Sequence, residues 1–201
     1  MKYTSVYFVR HAQTDWNAQR RLQGHADREL DATGQRQASA VALPESWRAL
    51  PVFCSPLRRT QQTATRMGMC NYTLEPALKE MDWGQWEGCS LAALRAELGA
   101  EMTANEAAGL DFRPAGGESP REVGQRVCAW LALRRRAPTP AVAVSHKGVI
   151  RVAFAIAWQW DMCGKPPCRL DWGKAHQIRI HDDGSLSPGA INIALNPSSK
   201  R

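Results

Sequence analysis

Short apolar runs alternate with longer amphipathic segments along the chain. Four runs rich in β-branched, aromatic or small apolar side chains predict β-strands, and they cover residues 4–9, 51–54, 71–74 and 141–144. Five segments with helical spacing or helix start signals predict α-helices, and they cover residues 33–43, 55–67, 90–98, 119–136 and 148–160. Residues 99–117, rich in Ala, Glu and Gly, have no regular pattern.

Serine followed by proline marks the start of two of these helices. Ser55-Pro56 and Ser119-Pro120 each place a hydroxyl at the N-cap and a proline in the first turn, where no N–H is needed. Ser90 is predicted to cap a third helix. The helix after Ser119 carries one apolar face, made of Val123, Val127, Trp130 and Leu131.

The last part of the chain predicts a closing β-hairpin. Residues 177–180 and 190–195 have strand character, and the Asp-Asp-Gly sequence at 182–184 is typical of a turn. Strands that alternate with helices predict an α/β fold with a mostly parallel sheet. No repeat, linker or low-complexity tract interrupts the sequence, so residues 1–201 are predicted to form a single domain.

Composition narrows the class of protein. A hydrophobic fraction of 44% and a charged fraction of 22% are ordinary for a globular protein. The longest apolar stretch, residues 149–160, contains Arg151 and Gln159 and is too short to cross a bilayer, so no membrane partner is expected. The first residues lead into an apolar strand without a small-residue cleavage site, so we expect no signal peptide and a cytoplasmic location.

Charge and cysteine spacing argue against two further classes. The net charge is +7, but the basic residues form no single block, and the cluster at 134–136 falls at a predicted helix C-terminus, where cations are favoured. We therefore expect no nucleic-acid partner and interpret the charge as suited to anionic substrates. The six cysteines form no CxxC pair and no zinc spacing, so we expect free thiols and neither a metal nor another cofactor.

Two histidines and several charged residues follow the predicted strands. His11 follows the first strand, and His146 follows the strand at 141–144. Arg58 and Arg59 come shortly after the second strand, and Glu80 after the third. Because ligands of an open α/β sheet bind beyond the carboxyl ends of its strands, we expect these side chains to share one crevice.

This set of residue types suits phosphoryl transfer. Arginine's planar fork matches phosphoryl oxygens, and a neutral imidazole can act as a nucleophile that divides the reaction into two steps. A carboxyl group near the leaving oxygen can protonate it and then activate water. Fixed arginines neutralise the developing charge without a metal ion.

Four segments resemble one protein family. Residues 10–17 (RHAQTDWN) are similar to the RHG-x-T-x-W-N signature of the histidine phosphatase superfamily, which includes the cofactor-dependent phosphoglycerate mutases. The other three follow in the family's order, at residues 55–64 (SPLRRTQQTA), 78–88 (LKEMDWGQWEG) and 144–151 (VSHKGVIR). Residues 23–24 (QG) and 116–119 (GGES) are weaker matches. The resemblance covers residues 7 to about 151.

The resemblance implies a role for each matching residue. His11 would be the nucleophile and Glu80 the acid and base, with Glu75, Glu87 and Asp82 as nearby alternatives for the acid. The residues that would bind the phosphoryl group and the rest of the substrate are Arg10, Asn17, Arg59, His146, Gln23, Gly24 and Lys147. Arg59 takes this role rather than Arg58, which is predicted to be a solvated helix residue.

The resemblance also implies an architecture. We expect a three-layer α/β/α fold like that of phosphoglycerate mutase, with a small helical cap at about residues 85–117. Glu118 is expected to support the catalytic residues, and Trp83 and Trp86 to pack the loop under the site or line the substrate pocket. His25, His176 and His181 are predicted to be structural or surface groups.

The sequence departs from the family pattern at two positions. Ala12 replaces a glycine, which would strain the backbone if that position required a positive φ. Lys147 replaces the first glycine of a histidine-glycine-glycine run and adds a cation beside the site. That cation either contacts a second charge on the substrate or points to solvent.

Three functions are compatible with these residues. The first is a phosphatase for small phosphorylated molecules, favoured because the interval from Glu80 to His146 is short whereas mutases of the family usually carry a longer insertion there. The second is a phosphoglycerate-type phosphomutase. The third, an inert anion-binding scaffold, has no need of a nucleophile beside an acid. The sequence leaves the substrate and the oligomeric state open, a homodimer included.

Overall fold

The computed structural model describes residues 3–137 and 139–198. The strands are β1 (Tyr3–Arg10), β2 (Val41–Ala42), β3 (Val52–Cys54), β4 (Thr73–Leu74), β5 (Ala141–Ser145), β6 (His176–His181), β7 (Leu186–Pro188) and β8 (Asn196–Pro197). The α-helices are α1 (Asp15–Ala18), α2 (Ala32–Ser39), α3 (Arg58–Arg66), α4 (Leu91–Leu98), α5 (Ala100–Ala107), α6 (Pro120–Arg134) and α7 (Lys147–Ala157). Short 3₁₀ turns lie at Glu45–Trp47, Pro76–Leu78, Gly84–Trp86 and Gly109–Asp111.

Six strands form one mixed sheet in the order β4-β3-β5-β1-β6-β7. β4, β3, β5 and β1 are parallel, whereas β6 is antiparallel to β1 and β7 to β6. In this register Arg10 lies beside Ser145, and Cys54 lies beside Val144. The carboxyl ends of the three central strands therefore meet at one edge, which is where an α/β sheet binds ligands.

Helices cover both faces of the sheet, so the fold is the expected three-layer α/β/α arrangement. All five residues of β5 are buried, and their side chains alternate between two apolar clusters. Ala141 and Ala143 lie in the cluster with α6 and α7, and Val142 and Val144 lie in the cluster with α3. A strand apolar on both sides is typical of a parallel sheet between two helical layers.

The long helix α6 confirms the pattern predicted for it. Ser119 forms a capping box with Glu122, and the four predicted apolar residues are all buried. Ser90 likewise caps α4 by accepting a hydrogen bond from the Ala93 N–H. The arginine cluster at 134–136 lies at the end of α6, as predicted.

Apolar side chains within residues 83–112 form a small cluster beside the main core. Trp86, Leu94 and Met102 are its buried members, and Trp83 and Phe112 pack against both this cluster and the main core. The stretch at 99–117, predicted to be irregular, contains α5. Gly99 allows α5 to follow α4 directly, because its φ of +51° suits glycine.

Two helix predictions have wrong boundaries. α3 begins at Arg58 rather than at Ser55, because Asp27 from a distant loop accepts the hydrogen bond of the Arg58 N–H at 2.7 Å and caps the helix in place of a local serine. α2 ends at Ser39 rather than at residue 43, because Val41 and Ala42 pair with β8.

The closing hairpin has a different second strand from the predicted one. The turn at 182–184 is present, with Gly184 at a φ of +88°, and it returns the chain so tightly that β6 pairs with β7. Residues 190–195 contribute only an isolated bridge between Ile193 and Ala175. Within residues 3–137 and 139–198, no helix has the length and apolar character needed to span a bilayer.

Candidate active site

The predicted residues converge where the central strands end. His11 follows β1, and its backbone N–H donates to the Ser145 carbonyl at 2.9 Å. His146 follows β5, and Ser55, directly after β3, donates its N–H to the Val144 carbonyl at 3.0 Å. The imidazole rings of His11 and His146 are 5.1 Å apart between centroids. The parallel pairing of β1, β5 and β3 thus brings these side chains together.

His11 is held as a neutral imidazole with one free nitrogen. Its Nδ1 lies 2.7 Å from the carbonyl oxygen of Ala12, and a carbonyl only accepts, so Nδ1 carries the proton. Burial, followed by the charges of Arg10 and Arg59, lowers the pKa of His11 well below its usual value. The Nε2 lone pair has no hydrogen-bond partner among the residues that the structure describes.

His146 is fully buried, and both of its ring nitrogens are engaged. Arg59 Nε donates to Nδ1 at 3.2 Å, so the neutral ring carries its proton on Nε2, which donates to Ser55 Oγ at 2.8 Å. Burial and the charge of Arg59 lower the pKa of His146 well below its usual value. For His146 to donate to a phosphoryl oxygen directly, its Nε2–H must first leave Ser55.

Arg59 is a completely buried arginine anchored by three hydrogen bonds. Besides the bond to His146, it donates to the Gly24 carbonyl at 2.7 Å and to the Ala26 carbonyl at 3.1 Å. A guanidinium has five N–H groups, which leaves two for a ligand. Burial lowers the pKa of Arg59 to about 10 even though Glu80 acts to raise it.

Arg10 differs from Arg59 because its side chain has no hydrogen-bond partner in the described parts of the chain. Its buried Nε is unsatisfied, and its Cζ lies 5.9 Å from the centroid of the Trp172 ring. Burial lowers the pKa of Arg10, and Glu80 acts in the opposite direction. A partly desolvated guanidinium without partners is ready to receive an anion.

The carboxyl group of Glu80 sits on the first turn of α7. Its oxygens accept from the N–H groups of Gly148 at 3.1 Å, Val149 at 3.3 Å and Met81 at 2.9 Å. Helix N-termini bind negative groups in this way. Only 7% of Glu80 is exposed, so the carboxyl group is fixed in position beside the two arginines.

The other three candidate acids are engaged elsewhere. Glu75 accepts from the Ala77 N–H at 2.9 Å and caps a 3₁₀ turn. Glu87 accepts from the N–H groups of His25 and Ala26. Asp82 accepts from the Gly84 N–H at 2.8 Å. Of the four, Glu80 is the one that lies on α7 beside His146.

Asn17, Gln23 and Gly24 form the wall next to the arginines. Asn17 Nδ2 donates to Gln23 Oε1 at 3.3 Å, and Thr14 Oγ1 donates to the same oxygen at 2.8 Å. The buried Gln23 Nε2 is left without a partner among the described residues. Gly24 has no room for a Cβ, because Met81 and Glu87 lie against it, and its carbonyl anchors Arg59.

The two departures from the family pattern have different consequences. Ala12 is not among the residues with positive φ, so its methyl group adds no backbone strain, and its N–H donates to Thr63 Oγ1 at 3.0 Å. Lys147 is exposed, and its Nζ lies 5.6 Å from the centroid of the Trp172 ring, on which Arg10 also lies.

Two supporting residues, Ser55 and Trp172, escaped sequence reasoning, whereas the sequence predicts a supporting role for Glu118 and a structural or surface one for His25. Ser55, interpreted as a helix cap, is instead the partner of His146. His25, expected to be structural, has its Nε2 3.0 Å from the Glu80 carbonyl oxygen, to which Arg126 also donates at 3.2 Å. Glu118 accepts two hydrogen bonds from Arg126 and so holds it there. Trp172 lies outside the matching segments, and no signal in the sequence marks it.

Arg58 and Arg59 are separated as expected. Arg58 is exposed and forms an ion pair with Glu29, whereas Arg59 points into the site. A cavity of about 540 Å³ opens beside Arg10, His11, Asn17 and Trp172. In the part of the chain described, no three His, Cys, Asp or Glu side chains are grouped so as to hold a metal ion.

Two neutral histidines, two arginines and one fixed carboxyl group at the carboxyl edge of the sheet suit phosphoryl transfer. The model of the histidine phosphatase superfamily (branch 1) matches residues 6–187, and the chain belongs to this superfamily. Members of the superfamily are phosphatases and mutases.

The curated relatives carry the name of a mutase. The chain is 40% identical over 133 residues to a probable phosphoglycerate mutase GpmB of Enterobacter sp. (strain 638), a match that covers 63% of this chain and 61% of the relative. It is 37% identical over 131 residues to the protein of the same name in Salmonella paratyphi C (strain RKS4594). The chain thus spans about three fifths of the length of these relatives.

Two solved structures with the same fold are described as a hydrolase and a phosphatase. A protein described as mycobacterial hydrolase 1 is 27% identical, with a TM-score of 0.79 and coverage of 96% of this chain and 100% of that one. A mycobacterial glucosyl-3-phosphoglycerate phosphatase complexed with VO3 is 25% identical, with a TM-score of 0.77 and coverage of 95% and 100%. These likenesses support the three-layer fold over nearly the whole chain.

Proposed function

We propose that this protein is a phosphatase that hydrolyses small phosphate monoesters through a phosphohistidine on His11. The observation that carries the proposal is the pairing of a free Nε2 lone pair on neutral His11 with the adjacent Arg10, whose guanidinium has no partner among the described residues. A nucleophile needs its lone pair unprotonated, and a phosphoryl group needs fixed cationic donors.

In the first step the Nε2 of His11 attacks phosphorus and the ester P–O bond breaks. Arg10 and the two remaining N–H groups of Arg59 bind the phosphoryl oxygens, and Gln23 Nε2 supplies a further donor. Glu80, in its protonated form, gives its proton to the leaving oxygen. The alcohol departs, and the phosphoryl group stays on His11.

In the second step Glu80 takes a proton from water, and the water oxygen attacks phosphorus. The P–Nε2 bond breaks, inorganic phosphate leaves, and both His11 and Glu80 return to their starting protonation states. Met81, Gly148 and Val149 keep the carboxyl group in place through both steps.

The covalent step is tested by rapid mixing with a phosphorylated substrate. The wild type should yield an acid-labile, base-stable phosphoprotein, and His11→Ala should yield none and retain less than about a hundredth of wild-type turnover. Circular dichroism confirms that the variant is folded. A folded variant that keeps more than about a hundredth of wild-type turnover would disprove the covalent mechanism.

Glu80 is tested by the dependence of the reaction on the leaving group. Glu80→Gln should slow hydrolysis of an alkyl phosphate by roughly 10²-fold or more, but that of p-nitrophenyl phosphate far less, because a good leaving group needs little protonation. Glu75→Gln is the matched control and should change neither rate. Equal losses on the two substrates in Glu80→Gln would remove Glu80 from the role of acid.

Metal independence belongs to the same proposal. Turnover in the presence of EDTA should equal turnover without it, because the arginines supply the charge that a metal ion would otherwise provide. Loss of activity after chelation, restored by a divalent ion, would contradict the proposed class of mechanism.

A phosphomutase is the second candidate, because the curated relatives carry that name. Both reactions begin with the same phosphohistidine, and they differ in whether water or a second hydroxyl group accepts the phosphoryl group. Incubation of the phosphoenzyme with 3-phosphoglycerate separates them. Release of inorganic phosphate supports the phosphatase, and formation of the 2-isomer supports the mutase.

A further inference from the structure

A second cavity lies beside the site that the proposed reaction uses. It is a cleft of about 870 Å³ along the outer side of α7, lined by aromatic residues and by Arg151, Lys165 and Arg169. Trp172 lines both this cleft and the cavity next to His11. The half-buried Trp172 ring is therefore the wall that the two spaces share.

Three cations at or next to this wall have no anionic partner in the described parts of the chain. Arg10 and Lys147 both lie on the Trp172 ring, and Arg151 follows Lys147 after one helical turn, with its Cζ 5.9 Å from the Trp160 ring centroid. None of the three forms an ion pair or side-chain hydrogen bond within residues 3–137 and 139–198. Asp171, an acid that lines the cleft, pairs with Lys174 instead.

Several exposed arginines elsewhere on this protein are paired. Four exposed arginines each form an ion pair with an acid, namely Arg28 with Asp15, Arg95 with Glu106, Arg113 with Glu122 and Arg121 with Asp111. Arg10, Lys147 and Arg151, in contrast, repel one another. Although Lys147 is exposed, burial of its ammonium group and the charges of Arg10 and Arg151 lower its pKa. Such a row of charges is stabilised when an anion binds between them.

The position of Arg151 connects this row to the leaving group. Gly148, whose N–H donates to Glu80, precedes Arg151 by three residues, so the two lie on neighbouring positions of one helix face. Arg151 also lines the smaller cavity next to Gly148 and Trp83. A leaving group that receives its proton from Glu80 would therefore extend towards Arg151.

We propose that the cleft along α7 is a leaving-group subsite, in which Arg151 in the lining of the cleft and Lys147 on the ring of Trp172 bind a second anionic group of the substrate. The inference rests on the proposed phosphatase function. It specifies a phosphomonoester whose leaving group carries a carboxylate or a second phosphate. The two cations are four residues apart, so their Cα atoms are separated by about 6 Å along the helix axis, a span that one such group can bridge.

The test compares aryl phosphates of matched reactivity. 4-Carboxyphenyl phosphate carries the second charge, 4-carbamoylphenyl phosphate is its neutral analogue, and benzene-1,4-diyl bisphosphate replaces the carboxylate with a phosphate. The wild type should prefer at least one charged ester over the neutral one by about tenfold in kcat/KM. The preferred ester identifies the anion. A ratio near one for both would overturn the proposal.

Three variants test whether Lys147 and Arg151 cause the preference for the charged ester. Arg151→Gln and Lys147→Gly should each reduce the ratio towards one, and Arg151→Lys should restore most of it. Arg136→Gln removes the same charge from an exposed residue beside Tyr3, at the opposite end of β1, and should leave the ratio unchanged. Because the ratio compares the charged with the neutral ester in the same variant, any general effect on turnover cancels. An unchanged ratio in Arg151→Gln would reject the subsite.

A binding measurement separates this proposal from the proposed function. Calorimetry on His11→Ala gives the Kd of the charged and neutral esters without turnover. If the wild type hydrolyses neither ester, the phosphatase proposal fails, and tighter binding of the charged ester, lost in His11→Ala/Arg151→Gln, still supports the subsite. If hydrolysis occurs and the Kd values are equal, the subsite fails alone.

Discussion

The two histidines at the site have their protonation states set by their immediate neighbours. The Ala12 carbonyl fixes the proton of His11 on Nδ1, and the bond from Arg59 fixes that of His146 on Nε2. Burial lowers the pKa of both rings and so keeps them neutral, and the charges of the arginines lower the pKa further. These two neutral imidazoles beside two guanidinium groups create a positive pocket with one unprotonated nucleophile.

The lowered pKa of His11 predicts the pH dependence of the first step. The neutral ring is the active form, and lowering its pKa in the folded protein extends that form to lower pH than the usual value of 6.5 allows. For p-nitrophenyl phosphate, whose leaving group needs little protonation, we therefore expect the single-turnover rate of phosphoenzyme formation, corrected for ionisation of the substrate phosphate, to stay constant from about pH 7.5 to about pH 6. A loss centred near pH 6.5 would show that His11 titrates like a solvated histidine.

At the scale of elements, α7 connects the core to Glu80, the proposed acid. Its buried face joins the main apolar cluster, and its first turn holds Glu80. No side chain fits at Gly148, because a Cβ there would collide with the Glu80 carboxyl group. The first turn of α7 thus holds the Glu80 carboxyl group with its backbone N–H groups, and the lack of a side chain at Gly148 leaves room for that carboxyl group.

Gly148→Ala tests this arrangement. Alanine favours a helix more than glycine does, so the variant should keep or raise its melting temperature. The displaced carboxyl group should nevertheless lower kcat for an alkyl phosphate by roughly tenfold or more, since a positioned acid contributes 10²–10⁴-fold. Unchanged kcat, measured alongside a melting curve, would mean that Glu80 is not held as described.

Helix α6 offers a matched pair of leucines for the core. Leu131 is fully buried and Leu133 is 78% exposed, although both lie near the end of the same helix. Leu131→Ala should lower the free energy of unfolding by about 2–5 kcal/mol, and Leu133→Ala by less than about 0.5 kcal/mol. Urea denaturation of the two variants measures both values. Similar losses would mean that α6 packs through a different face.

At the scale of the whole molecule, charge and topology act together. The net charge is +7, and the active-site arginines stand at one edge of the sheet, so the long-range field favours the approach of anions. For a phosphate ester, kcat/KM should therefore fall as KCl rises from about 10 mM to about 200 mM, while kcat changes little. A salt-independent kcat/KM would show that the net charge has no part in substrate capture.

The sequence by itself determined the alternation of strands and helices and which residues to expect at the candidate site. The alternation can be inferred because apolar periodicity reflects burial directly. His11, His146 and Glu80 could be placed near one another because parallel strands present their carboxyl ends at one edge, and because four motifs resembled one family in order. Their catalytic roles stay predictions until the variants are measured.

Only the tertiary structure decided which residues complete the site. Asp27 caps α3 from a distant loop, Ser55 serves His146 rather than a helix, and Trp172 lies beside Arg10 although 162 positions separate them in the chain. Local propensity carries no information about such contacts. Each contact joins groups that are distant in the sequence and meet only through the packing of the sheet and its two helical layers. The unpaired cations along α7 became visible for the same reason.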